Sequence, residues 1–241
     1  MNLAAVVAIS TAVFASSSYA TTYKGHVGRE LILSGKVVPS GTKTYMTGLR
    51  VSRDSESYCG ASLISPTHVL TASHCTAYNP HWVSIGEHYR NGTQIGEQIK
   101  IVTMMNHPNY SVNVQYADDF MILELERPSK FKPVKLAAAD DSDFKPGKMA
   151  TTMGWGKNAE VNGNFSYELQ RVDVALDSCE ADSGGPLIVE SSGGEDVLVG
   201  VVSWAKDNTC GREGYYGVYS RVSSVRAWID TITSASGICV A

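Results

Sequence analysis

The 241-residue sequence has no concentrated run of Lys or Arg, and its formal net charge is −4. Phosphate backbones are gripped by a concentrated positive face, so no nucleic-acid partner is expected. No internal repeat or low-complexity tract stands out, which argues against solenoid, fibrous and disordered classes. Beyond the N-terminal stretch, no segment is long and apolar enough to span a bilayer, so no membrane partner is expected for a mature form. What remains is an ordinary globular composition, 43% hydrophobic and 18% charged with 22 Gly. The length suffices for one large domain or two small ones.

Residues 1–20 read as a secretory signal peptide. Leu3 to Ala15 is almost continuously apolar, and Ser18-Tyr19-Ala20 has the small-x-small form that places cleavage after Ala20. The segment before the apolar run lacks Lys and Arg, and a buried N-terminal helix is the alternative. Residues 21–31 then form a short propeptide-like segment. Export to a secreted, extracellular location makes disulfides plausible, and the odd count of five Cys leaves one without an internal partner. Asn91-Gly-Thr, Asn109-Tyr-Ser and Asn164-Phe-Ser are glycosylation sequons in polar, turn-like surroundings.

Most of the chain reads as short strands between turns. Ala61 to Leu70 is apolar and β-branched, with a turn at Pro66. Phe120 to Leu125 is an apolar run of strand length. Gln170 to Leu176 alternates, and Val197 to Trp204 is almost wholly apolar. This pattern predicts an all-β sandwich or barrel. Val225, Trp228, Ile229 and Ile232 fall on one helical face, and Ser223 or Ser224 is placed to cap a C-terminal helix over 223–235. The Pro- and Lys-rich stretch from Arg127 to Pro146 reads as a connection between two β units.

Three segments carry chemistry together. His74 lies in Thr71-Ala-Ser-His-Cys75, Asp119 enters the apolar run Phe120 to Leu123, and Ser183 sits in Asp182-Ser-Gly-Gly-Pro-Leu187. A serine between Asp and Gly-Gly-Pro occupies the kind of exposed turn that presents a nucleophile. A serine hydroxyl attacks only when an imidazole takes its proton. A buried carboxylate must orient that imidazole, and backbone N–H groups must hold the oxyanion. The chain order His, Asp, Ser distinguishes one triad class from others.

With Gly154-Trp-Gly156, Ser203-Trp204 and Gly217-Val-Tyr219 in order, the chain resembles the chymotrypsin-like (trypsin-type) serine proteases from about Ile32 to the C-terminal helix. The resemblance implies an all-β domain over 32–236. It would hold two packed antiparallel six-stranded barrels, about 32–135 and 140–222, with a C-terminal α-helix. It implies His74, Asp119 and Ser183 as catalytic, Ala181 and Ser183 as oxyanion-hole donors, and disulfides Cys59–Cys75 and Cys179–Cys210. Cys239 is then the odd thiol. It implies a specificity pocket of Asp177, Ser203, Trp204, Ala205 and Gly217, in which Asp177 selects Arg or Lys. It also implies a salt bridge from a new Ile32 N-terminus to Asp182. No cofactor and no metal are expected; Glu87 and Glu97 are too few oxygens for a calcium loop and read as surface charges.

The sequence departs from that pattern in three places. The interval from Trp155 to Ser183 is much shorter than in the family. The shortening falls between Leu176 and Asp177 and leaves the second barrel without a strand and a short helix. A natural variant and an incorrectly joined gene would look alike here. Ala181 stands where the family has Gly, at a position whose backbone a Cβ can disfavour. Leu31, not Arg or Lys, precedes Ile32, and the nearby basic residue is Arg29.

Val37 to Tyr45, Leu63 to Leu70, Arg127 to Leu136 and Val218 to Val222 resemble the secreted glucanase inhibitor proteins of oomycete plant pathogens. That resemblance implies a protease homologue, weak or inactive in peptide hydrolysis, which binds a host plant endo-β-1,3-glucanase and suppresses glucan-elicited defence. Members of that group typically lack a full triad, whereas this chain has all three residue types. The alternative expectation is an active trypsin-like endopeptidase with peptide substrates.

Overall fold

A computed structural model describes residues 35–92, 94–143, 148–157, 163–175, 182–191, 194–205 and 217–235. The first half is built by strands whose apolar residues alternate or run continuously. They are β2 (Met46–Arg50), β3 (Cys59–Ser65), β4 (His68–Thr71), β5 (Trp82–Ile85), β6 (Glu97–Asn106) and β7 (Met121–Leu125). In β6 Ile99 and Ile101 are buried while Lys100 and Val102 face water, the period-two pattern of a half-buried strand. These six strands close into a barrel in the order β2-β3-β4-β7-β6-β5. Closure leaves no free edge.

The second half has β1 (Lys36–Val37), β8 (Lys135–Leu136), β9 (Met149–Gly154), β10 (Gln170–Ala175), β11 (Pro186–Glu190), β12 (Asp196–Ala205) and β13 (Gly217–Arg221). They form a seven-stranded sheet in the order β1-β10-β9-β11-β12-β13, with β8 joined in parallel to β12. Among the described strands its ends, β1 and β13, do not meet. The architecture is therefore one closed six-stranded barrel and a second sheet, followed by a short C-terminal helix, α1 (Arg226–Ala235). The interval around Leu176 and Asp177, where the sequence reads as shortened, lies outside the described residues.

Two local features differ from the sequence-based expectation. The connection from Arg127 onward carries β8, because Lys135 and Leu136 pair with Val197 and Leu198. Ser223 and Ser224 sit in a 3-10 turn (Val222–Val225) before α1. The Ser223 hydroxyl bonds Asp141, and Ser224 Oγ donates to the Arg221 carbonyl (2.7 Å), so both are turned away from a helix cap.

The two halves share one core. Trp155, almost fully buried, donates its indole N–H to the His88 carbonyl (3.1 Å), and Gly60 N donates to Ser183 O (2.8 Å). These bonds tie the barrel to the sheet. The His, Asp and Ser segments all lie along that seam.

Candidate functional site

β4 ends at Thr71, and the chain then tightens into a 3-10 turn (Ser73–Tyr78) that carries His74. Two ties hold the turn. Cys75 is disulfide-bonded to Cys59 at the start of β3, and Ser73 Oγ donates to the Phe120 carbonyl (2.6 Å) at the entrance to β7. The second tie brings Asp119 beneath the imidazole. His74 Nδ1 lies 2.7 Å from Asp119 Oδ2, and His74 N donates to Asp119 Oδ1 (2.9 Å).

Asp119 is fully buried, so its oxygens need donors. The third comes from β12, where Ser203 Oγ donates to Oδ2 at 2.5 Å. A carboxylate accepting at Nδ1 selects the tautomer that leaves Nε2 able to take a proton. Ser203, which the resemblance assigns to the pocket wall, thus also supports Asp119 through its hydroxyl. A serine beside Trp204 at the end of an apolar strand is the signal that points to it.

Ser183 sits in the turn before β11. Gly184 has φ +77°, and a Cβ there would lie 2.3 Å from Thr71 Oγ1 and 2.5 Å from the Gly60 carbonyl oxygen. The turn therefore packs directly on β3 and β4, and only Gly serves at 184. Gly184 N donates to Val202 O (2.9 Å) and Gly185 N to Asp182 O (2.8 Å). The disulfide lies between the two halves of the site: Cys75 Sγ is 3.8 Å from both His74 Nε2 and Ser183 O. Among the described residues, Ser183 Oγ makes no hydrogen bond to the imidazole. Cys59, His74 and Cys75 cluster tightly, but the sulfurs are joined to each other and offer no thiolate to a metal.

Asp182 packs on Gly154, where a Cβ would come within 2.3 Å of the Asp182 Cβ, and its Oδ2 accepts from Trp155 N (3.1 Å). Burial pushes its carboxyl up to about 6, against the pull of the Trp155 hydrogen bond and the Arg90 charge. Ile32, the expected salt-bridge partner, lies outside the described residues. So do Asp177, Cys179, Ala181, Cys210 and Cys239. Gly217 pairs with Ala205 in the β12–β13 ladder. Trp204 is exposed, and the ring of Tyr116, which no motif in the sequence marks, lies 6.4 Å from it and 6.2 Å from His74.

Two expectations about charge need correcting. Glu87 is buried, not a surface charge, and accepts from Ile95 N (3.3 Å). Glu97 accepts from Ser129 Oγ (2.6 Å), Lys130 N (3.0 Å) and Arg127 Nη1 (3.2 Å). Burial raises its pKa, but these donors outweigh burial and hold it below the usual range. The loop is organised from inside by Arg50, which is also fully buried. Its guanidinium donates to Ser55 O, Ser84 Oγ (3.0 Å) and Asn91 O (2.6 Å). Of the sequon residues, Asn109 and Asn164 are exposed, whereas Asn91 is half-buried with Nδ2 donating to Tyr167 OH (3.2 Å).

Residues 32–178 and 175–229 match the trypsin family model. The two pieces meet where the sequence reads as shortened. The chain is 46% identical over 255 residues to "Glucanase inhibitor protein 2" of Phytophthora infestans, covering 93% of this chain and 98% of that one. It is 46% identical to "Glucanase inhibitor protein 3" of the same organism, covering 96% and 98%. It is also 31% identical to a "Trypsin" of Saccharopolyspora erythraea, over 72% of this chain and 86% of the relative.

Proposed function

This chain belongs to the trypsin family, and on that premise we propose that it is a secreted protease homologue that binds and inhibits a plant endo-β-1,3-glucanase. The observation that carries the reading is its 46% identity, over nearly its whole length, to a relative named for glucanase inhibition. In this reading residues 1–20 are removed on export, residues 21–31 form a propeptide-like segment, and 32–236 is the working domain. Binding a glucanase would blunt the release of defence-eliciting glucan fragments by the host.

The test uses the secreted protein and its Ser183→Ala variant, titrated against a plant endo-β-1,3-glucanase hydrolysing laminarin. Both should suppress sugar release equally, because inhibition by docking needs no nucleophile. No inhibition by either protein would end the reading.

The His74–Asp119–Ser203 arrangement favours a second reading, residual trypsin-like hydrolysis. There Ser183 attacks, His74 moves the proton, Asp119 fixes the tautomer and Asp177 selects Arg or Lys. Labelling of Ser183 by a fluorophosphonate, absent in Ser183→Ala, is its expected signature.

A further inference from the structure

The segment between β6 and β7, residues 107–120, projects from the barrel beside the site. Residues 111–115 are exposed without a break, and Val112 and Val114 are 64% and 66% exposed. Two aliphatic side chains held out in water at the tip of one loop are poorly explained by folding alone.

The loop is not slack. Val112 N donates to Asn109 O (3.2 Å), Ser111 N to Ala117 O (3.0 Å) and Ala117 N to Val114 O (2.9 Å). Tyr116 N donates to Ser111 Oγ (2.9 Å). At its root His107 N donates to Phe120 O (2.8 Å), and the His107 ring meets Trp228 of α1 edge-on at 4.9 Å. Ser111, Tyr116 and Asp118 have φ of 54°, 62° and 49°, a left-handed conformation that costs each of them energy. Strain kept within a hydrogen-bonded loop holds a particular surface ready, and such preorganisation lowers the entropy lost on binding.

Its composition defines the partner. From Asn106 to Ala117 there is no Asp, Glu, Lys or Arg. The tip presents amides and hydroxyls (Asn113, Gln115, Tyr116) between the apolar faces of the valines. A glucan chain carries the same combination: uncharged, dense in hydrogen-bonding groups, with apolar ring faces. A glycoside-hydrolase cleft is shaped for such a ligand and holds two carboxylates at the scissile bond. An acidic loop tip would be repelled there; residues 106–117 carry no carboxylate, and the two acids of the segment, Asp118 and the buried Asp119, stand at its root beside His74 rather than at the tip.

The geometry points to residues 109–116 as the inhibitory contact, a rigid uncharged loop that enters the glucan-binding cleft of the glucanase in place of substrate. This rests on the glucanase-binding reading and adds to it the contact surface and the mode of inhibition, competition with glucan.

The experiment compares wild type, a Val112→Asp/Val114→Asp double variant and a control, Val51→Asp, at an exposed site in the turn after β2. Each protein also carries Asn109→Gln, which removes the sequon without adding charge, so that no glycan screens the loop. Binding to a plant endo-β-1,3-glucanase is measured with and without a laminari-oligosaccharide. The double variant should bind about 100-fold more weakly, since like charges set against each other cost several kcal/mol. Val51→Asp should match wild type, and the oligosaccharide should compete. Unchanged thermal unfolding of the double variant excludes a folding defect. Tight binding by the double variant, or failure of the oligosaccharide to compete, overturns the loop assignment while leaving glucanase binding intact. Failure of wild type itself to bind removes the functional reading and this one with it.

Discussion

Asp182 is a carboxyl held by a single described hydrogen bond, from Trp155 N, inside a packed turn. Its pKa rises from 3.8 to about 6 in the fold. At pH below 3.8 both folded and unfolded chains hold the proton, and the group contributes nothing to pH dependence. Between about 4 and 6 only the unfolded chain releases it, so stability falls as pH rises through that window. Above pH 6 the deficit is constant, up to about 3 kcal/mol for a separation of roughly two pH units. Asp182→Asn should remove this contribution, and its stability relative to wild type should grow between pH 4 and 6.5 in thermal denaturation. If a new amine at Ile32 pairs with this carboxylate, as proposed from the family resemblance, a chain beginning there should lose the same pH dependence without the substitution. An identical pH profile for wild type and Asp182→Asn would refute the assignment.

The turns that build the site test whether close packing or backbone conformation confines them to glycine. Gly184, before β11, and Gly194, between β11 and β12, have nearly the same φ, +77° and +79°. A Cβ at 194 meets nothing within 4 Å, whereas one at 184 runs into Thr71 and the backbone of Gly60. Gly194→Ala should cost about 1–2 kcal/mol, the conformational penalty alone. Gly184→Ala should cost that and a further ~1–3 kcal/mol from overpacking. Urea denaturation of the two variants separates the terms, and equal losses would mean that packing against β3 and β4 contributes nothing.

At this scale the sequence was informative where a residue type has one plausible use. The Asp-Ser-Gly-Gly-Pro turn marks Ser183 by itself, whereas His74 beside Cys75 and Asp119 entering an apolar run gain meaning only together and in order; the structure brings His74 and Asp119 into contact. Glu87 and Arg50 were not legible. Their charges are buried by a loop that brings Arg50 to the carbonyls of Ser55 and Asn91, and nothing in the spacing of those residues marks the contact. Tyr116 escaped for the opposite reason. It belongs to a loop with no strand or helix periodicity, so its place between His74 and Trp204 exists only in three dimensions.

Across the whole molecule the two halves are closed differently. Each strand of the first barrel is paired on both sides. In the second half β1 offers only the pairs Lys36–Arg171 and Val37–Gln170, and β13 is bonded to β12 alone among the described strands. Among the described strands this asymmetry accompanies the interval between Trp155 and Ser183 that the sequence comparison with the family reads as shortened. Local opening is easiest where backbone bonds are few and near solvent, so stability should differ between the halves. Hydrogen exchange followed by mass spectrometry should find the amides of β3, β4 and β7 exchanging only on global unfolding. Those of β1 and β13 should exchange through lower-energy openings. The site draws Asp119 and His74 from the well-protected half and Ser183 from the other, so openings of the second sheet would move the serine relative to a fixed imidazole. That would weaken nucleophilic chemistry, which needs both groups in register, and leave untouched a loop rooted between β6 and β7. Uniform protection across both halves would instead mean that the sheet is closed by contacts beyond the described strands, and a lasting Ser183–His74 register would then be expected.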